Sequence, residues 1–335
     1  MVVELAPDTV SDKGRPLVKP FEFGQRLVQR PSQVQQDRES RGLSGLRHRA
    51  KEADMKYGIE IPGGEPRTVG DLAHKAEEAG WDGVFIADAL AIGFKGQPEM
   101  PWFDTQVALA VIAMLTERIR IGTLIVALTR RRPWKLAREI MTLDHLSGGR
   151  LILGVGLGAA EHDGGFYKVG EVMDLKGRAE IMDETLAILA GLWKGKPFSF
   201  NGAHYHVDKL CTIPKPVQKP RIPIWVPGVW PKEKSMQRAL QWDGIIPQRY
   251  KGSPSDRAKP EFTGQVASYV KKNRPSKSEF DIIAGGSTPG KNRTKAADTV
   301  RAFADAGATW WIESVWTGGE NKLRERINQG PPRFE

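Results

Sequence analysis

The sequence predicts an α/β protein, a (β/α)8 TIM barrel with a hairpin inserted between its fourth and fifth strands. Three observations carry that reading. From Met55 onward, eight short runs rich in Ile and Val recur, each bounded by Gly or Pro. The runs are apolar throughout, as expected of parallel strands buried on both faces. Helical patterns fill the intervals, and eight such units in about 280 residues match the count and length of this barrel.

Residues 1–54 are unlike the rest. They hold no Trp or Tyr, carry ten Lys and Arg against eight Asp and Glu, and show no sustained period. They read as a disordered or loosely attached extension, which leaves 55–335 as the barrel domain. The first strand is YGIEI at 57–61, and Gly80 stands where the C′ glycine of the following helix belongs. GVFIA at 83–87 and RIGTLIV at 120–126 are the second and third strands. Pro133 takes the first position of the next helix, whose apolar stripe is Leu136, Ala137, Ile140 and Met141. RLILGV at 150–155 is the fourth strand, followed by a helix over 176–194 with Ile181, Met182, Leu186, Leu189, Leu192 and Trp193 on one stripe. The interval that remains is too long for one barrel unit. It alternates apolar and polar residues around Asn201-Gly202, a dipeptide that favours a type I′ hairpin turn. The last four strands are IPIWV at 222–226, GIIP at 244–247, DIIAG at 281–285 and TWWIES at 309–314, with Gly307 as a second C′ glycine.

The formal net charge of +10 points to an anionic partner. The positive residues are scattered except at Arg130-Arg131-Arg132, and no long basic run interleaves with aromatics. An anionic cofactor or substrate is therefore favoured over nucleic acid. The three arginines follow the third strand on the catalytic side, where an anion contact, a loop anchor and a solvated run all fit. No apolar stretch approaches the roughly 20 residues that cross a bilayer, and no secretory pattern opens the chain. Cys211 is the only cysteine, which fits a reducing, cytoplasmic setting.

Gly154, Gly156 and Gly158 with Ala159 spell G-x-G-x-x-A, the dinucleotide fingerprint. The context argues against a Rossmann domain. Three strands precede these glycines, and EHDGGFYKVGE follows them with three more glycines and no helical stripe until about Arg178. Two readings remain: a simple turn, or a loop at a strand's C-terminal end that hugs a ligand, as barrel loops do. His162, beside Glu161 in this loop, is a candidate acid or base. His204 and His206 share one side of the hairpin, but a metal there lacks a third ligand; no metal site is expected. His145 suits a helix C-terminus. Trp230 and Trp311, near strand ends, could wall an apolar pocket. GGSTPGKNR at 285–293 offers Ser287, Thr288 and backbone to an anion, the basis of an alternative reading as a phosphosugar-type barrel enzyme.

The segments AEEAGWDGVFIAD and RIRIGTLIVALTRRRPWKLAREIMTLDHLSGGRLILGVGLG, with FYKVGE, LWKGKPFSFNGAHYHVD, PKPVQKPRIPIWVPG and RALQWDGIIP, carry a likeness in order and spacing. The chain from Met55 to about Gly319 resembles the bacterial-luciferase-like family of flavin- and deazaflavin-dependent monooxygenases and oxidoreductases. That resemblance implies a flavin across the C-terminal mouth of the barrel. Leu124, Ile125, Val126 and Ala127 match the wall behind the isoalloxazine, where many relatives have a bulge or a non-prolyl cis peptide. Asp88 matches a polar position near the ring and, with Glu161 and His162, makes up the candidate catalytic set. Gly156, Gly158 and Glu161 match the loop beside the ribityl chain and phosphate. Pro227, Gly228, Val229 and Trp230 resemble a phosphate loop opening the helix after the fifth strand, a place where free N–H groups meet anions. Two departures stand out. Deazaflavin-using relatives often carry a His after the second strand, where this chain has Asp88-Ala89-Leu90, and Pro227 replaces a usual Gly and its N–H. The expected activity is monooxygenation of a small organic substrate with O2 and reduced FMN from a separate reductase. The alternative is hydride transfer with the 8-hydroxy-5-deazaflavin coenzyme and its own reductase. A catalytically silent flavin-binding protein is the more distant reading. The resemblance also favours a homodimer, while the scattered charge and the hydropathy lead us to expect neither nucleic acid nor membrane as partner.

Overall fold

All eight apolar runs form strands of one closed parallel barrel. In chain order the strands are β1 (Lys56–Ile61), β2 (Gly83–Ile86), β3 (Arg120–Ala127), β4 (Leu151–Gly156), β5 (Phe198–Asn201), β6 (His206–Leu210), β7 (Ile224–Trp230), β8 (Gly244–Arg249), β9 (Asp281–Gly286) and β10 (Trp310–Ser314). The barrel runs β1-β2-β3-β4-β7-β8-β9-β10 and closes by pairing β10 with β1, while β5 and β6 form a separate antiparallel pair. The computed structural model describes residues 55–90, 102–158, 166–251, 259–274, 276 and 278–334. The expected extension over 1–54, and the candidates Glu161 and His162, lie outside the described residues.

The helices are α1 (Pro66–Glu78), α2 (Thr105–Leu115), α3 (Pro133–Leu146), α4 (Leu175–Leu192), α5 (Glu233–Leu240), α6 (Pro260–Asn273), α7 (Arg293–Asp305) and α8 (Gly319–Asn328). Their starts are fixed by local chemistry. Pro133 occupies the first turn of α3, and the carboxylates of Asp104 and Asp174 accept from backbone N–H groups of α2 and α4. Gly80 and Gly307 end α1 and α7 with φ of 85° and 102°.

The lumen is packed by large rings. Trp225 and Trp310 meet edge to face at 5.2 Å, and Phe85 lies 5.1 Å from Trp225. These rings join Ile152, Ile283 and Ile312 in one cluster, with Leu124 and Ile246 partly buried above it. The lower part of the lumen is therefore filled by side chains. At the N-terminal end of the barrel, the Asp281 carboxylate accepts from Trp225 Nε1 at 3.1 Å and Thr309 Oγ1 at 2.9 Å, and burial pushes its pKa up.

Three local expectations are corrected. The hairpin does not turn at Asn201-Gly202: Asn201 pairs with His206, Gly202 N–H donates to Tyr205 O, and neither 201 nor 202 takes the positive φ of a type I′ turn. The Glu184 carboxylate of α4 instead gathers the N–H groups of Ala203, His204 and Tyr205. Residues 227–230 do not open a helix; β7 continues through Trp230, pairing with β8 as far as Arg249, and α5 starts only at Glu233. The Ser287-Thr288 turn offers no vacant anion site. Thr288 N–H and Oγ1 both donate to the fully buried Glu313 carboxylate, at 2.6 and 2.9 Å, and Arg326 joins at 3.2 Å. The chain fills that site with its own anion, which removes the support for the phosphosugar reading.

Candidate active site

The rim is shaped first by β3. Its register against β4 shifts between Thr123 and Val126, and the Leu124–Ile125 peptide is cis. This bulge explains the glycines of β4. A Cβ on Gly154 would lie 2.2 Å from Thr123 O, and one on Gly156 would lie 1.9 Å from Ile125 Cδ1. Thr123 Oγ1 also donates to Gly154 O at 2.6 Å. Neither a simple turn nor a phosphate cradle is the first reason for Gly154 and Gly156; the neighbouring strand leans on them. Gly158 is different, with φ of 76° and Phe166 packed where a side chain would point.

An ion cluster anchors the end of β3. Asp88, just past β2, is buried and accepts from Arg130 at 3.0 Å, Arg131 at 2.8 Å and Ala127 N–H at 3.3 Å. Burial works against the charge of Arg131, but Asp88 and Asp104 outweigh it and raise its pKa. Two of the three consecutive arginines are thus loop anchors, and Asp88 clamps two segments together rather than pointing a free carboxylate at the mouth.

Two cavities open beside the bulge and share Ile125 and Gln248 in their linings. The mouth cavity, about 490 Å³, is lined by Leu124, Ile246, Ile283 and Ile312 among others, with Glu60, Gln248, Thr263, Ser314 and Trp316 as its polar side chains. Glu60, at the end of β1, accepts through Oε2 from Ser314 Oγ at 2.7 Å and Trp316 Nε1 at 3.1 Å. The side cavity, about 250 Å³, lies between β4, β7, α4 and α5 and is lined by Gly156, Gly158, Pro227, Val229, Arg178 and Arg238 among others.

Arg178 is the unusual group of the side cavity. It is nine-tenths buried, donates through Nη1 to Leu157 O at 3.3 Å and Gly158 O at 2.8 Å, and its Nε has no partner. Among the described residues no carboxylate pairs with it. Arg238, in contrast, is held by both oxygens of Asp183. Ser235 Oγ accepts from Val229 N–H at 3.0 Å, so the β7 backbone is tied to α5 from below.

The structure brings Leu124 and Ile125 to the mouth, and Gly156, Gly158, Pro227 and Val229 to the side cavity. Val126, Ala127 and Gly228 are buried in the wall and line neither space; a Cβ on Gly228 would strike Ile245 at 2.3 Å. Trp230 turns instead to a groove beside Tyr269, and Trp311 faces the helices, donating to Glu313 at 2.9 Å. Sequence reasoning missed Glu60, Arg178, Ser235, Arg238, Ser314 and Trp316. The signal that could have found Arg178 and Glu60 is positional: a charged residue in the first turns after a barrel loop, and an acid at the last turn-facing position of a strand, both belong to the catalytic rim.

Comparison with known proteins agrees with this geometry. Residues 47–330 match the family model described as luciferase-like monooxygenase. An F420-dependent glucose-6-phosphate dehydrogenase of Nakamurella multipartita is 30% identical over 187 residues, 54% of this chain and 52% of that protein. The oxygenase component of the flavin-dependent trigonelline monooxygenase of Acinetobacter baylyi is 29% identical over 156 residues, 47% of this chain and 41% of that protein. The chain thus spans about half the length of these curated relatives. In fold, the chain is similar to the coenzyme F420-dependent tetrahydromethanopterin reductase of Methanopyrus kandleri, with a TM-score of 0.65 at 18% identity over 82% of this chain and 96% of that one.

Proposed function

Because the chain belongs to the luciferase-like monooxygenase family, we propose that it is an oxidoreductase that holds a phosphorylated flavin-type tricycle across its barrel mouth, with reduced FMN from a separate flavin reductase as the cofactor and O2 and a small organic molecule as substrates. The observation that carries this reading is Arg178. A buried guanidinium without a counter-anion is unfavourable, and a phosphate dianion is its natural bidentate partner. The surroundings fit: Gly156 and Gly158 let backbone approach, and Arg238 adds charge. Ile125, which reaches both cavities, and Leu124, which lines the mouth, would back the tricycle at the junction between phosphate and ring.

When bound, reduced flavin supplies the electrons for oxygen chemistry. The chain's own groups bind, orient and dry the site. Arg178 fixes the phosphate end. The Asp88 cluster holds the β3 bulge in place through Ala127 and the two arginines. Ile246, Ile283 and Ile312 exclude water from the ring end of the mouth. Glu60, held by Ser314 and Trp316, is the acid or base within that space. Glu161 and His162 follow Gly158 by a few residues in the sequence, lie outside the described residues and remain candidates from the sequence alone.

The second reading, hydride transfer with the 8-hydroxy-5-deazaflavin coenzyme, is favoured by the F420-dependent relative. Asp88-Ala89-Leu90, which lacks the usual His, weighs against it. The test is titration of the full chain with reduced FMN and with the deazaflavin coenzyme, followed by tryptophan quenching and then by O2 uptake with candidate substrates. The FMN reading predicts saturable FMN binding and oxygen use coupled to product. Binding of the deazaflavin alone, with turnover independent of O2, replaces it with the second reading; binding of neither overturns both.

A further inference from the structure

A ligand that reaches from the mouth cavity into the side cavity passes the two described side chains that line both, Ile125 and Gln248. Ile125 is apolar and packs over Gly156. Gln248 is thus the one polar side chain among the described residues that borders both spaces. The strand ladder fixes its backbone, since β8 places it opposite Val229 of β7, itself a lining residue of the side cavity. Neighbouring polar groups are already engaged. Ser235 Oγ serves Val229 N–H and Pro227 O, Arg238 is held by Asp183, and Ser314 and Trp316 donate to Glu60. Thr263 lines the mouth alone. The half-buried Gln248 amide forms no hydrogen bond among the described residues. It offers two N–H donors and a carbonyl acceptor. A ligand threaded past it displaces its water, and amide groups left without partners are then unfavourable. A polymethylene segment would leave all of them so. A carboxylate would answer only the donors and an ammonium only the acceptor, whereas a hydroxyl both donates and accepts.

Resting on the reading of a phosphorylated tricycle at this mouth, we propose that Gln248 is a specificity-determining residue whose amide hydrogen-bonds a hydroxyl on the chain linking ring to phosphate. The site then reads three chemistries in order: a flat ring among the mouth isoleucines, a hydroxylated linker at Gln248, and a phosphate at Arg178.

The test titrates the full chain with FMN, with riboflavin and with the N-pentyl analogue of riboflavin, which keeps the ring and the chain length but lacks the chain's hydroxyls. Tryptophan quenching reads the affinities. The wild type is expected to bind riboflavin at least about tenfold more tightly than the pentyl analogue. Gln248→Leu, close to Gln in volume, narrows that ratio to about threefold or less, through weaker riboflavin binding and not through loss of the analogue. Gln248→Glu keeps an acceptor for the hydroxyl but adds an anion to the lining that Arg178 shares, so it weakens FMN by more than riboflavin. Equal affinity for riboflavin and its analogue in the wild type overturns the proposal, as does a ratio that Gln248→Leu leaves unchanged. The FMN arm keeps the two ideas apart: FMN bound while riboflavin and its analogue bind alike sinks this proposal and leaves the cofactor reading, whereas no flavin bound sinks both.

Discussion

Alanine at Gly154 and at Gly156 should behave differently, and the difference tests whether the β3 bulge shapes the rim. At Gly154 the new Cβ would meet Thr123 O at 2.2 Å, a backbone atom within the β3–β4 ladder. Relief requires the strands to part, and the hydrogen bond from Thr123 Oγ1 to Gly154 O goes with them. A loss above about 3 kcal/mol is expected, at the severe end for overpacking. At Gly156 the nearest atom is Ile125 Cδ1 at 1.9 Å, the far end of a side chain that can rotate. That change should lower stability by about 1–2 kcal/mol. Rotation of Ile125 would move it within the two cavities it lines, so FMN affinity should fall by about tenfold or more, at 1.4 kcal/mol per tenfold. Urea unfolding gives the stabilities and fluorescence titration gives the affinity. Equal stabilities for the two variants, or an unchanged FMN affinity in Gly156→Ala, would refute the reasoning.

Two further substitutions probe the frame. Glu77 ends α1 and accepts from the N–H groups of Glu117, Arg118 and Ile119; burial raises its pKa, but those three hydrogen bonds outweigh it and hold the carboxyl below its ordinary range. Its contribution is therefore present above the unfolded carboxylate pKa and lost as pH falls through the lower folded value. Glu77→Ala should lower stability by about 2–4 kcal/mol near neutral pH, with the gap to wild type closing in acid, as read by unfolding at several pH values; a gap that persists unchanged in acid would count against it. Asp88→Asn leaves two largely buried guanidinium groups short of charge and should lower stability by about 3–5 kcal/mol. A thermal scan that finds it as stable as wild type would remove the anchor from the account.

The barrel was legible because strands buried on both faces must be apolar at every position, which leaves continuous runs such as RLILGV that need no partner to be recognised. The errors occur where a distant group overrides local preference. Asn201-Gly202 is a strong turn signal, yet Glu184, on another element, captures the three N–H groups that follow and lengthens the loop. Pro227 looked like a break after the fifth strand, but pairing with Ile246 and Pro247 carries β7 onward to Trp230. Arg178 among leucines and methionines reads as one polar position of an amphipathic helix. Its meaning comes from carbonyls 20 and 21 residues earlier that curl back onto it. Glu60 likewise sat inside YGIEI as strand, because the groups that orient it, Ser314 and Trp316, are 254 and 256 residues away.

The most direct test of a phosphate held by Arg178 is parallel titration of wild type and Arg178→Met with FMN and riboflavin, which differ only in the phosphate. The account predicts that wild type prefers FMN, and that the substitution weakens FMN by roughly 30- to 100-fold while changing riboflavin by less than about threefold. Riboflavin bound as tightly as FMN by the wild type, or both ligands weakened alike by the substitution, would contradict it.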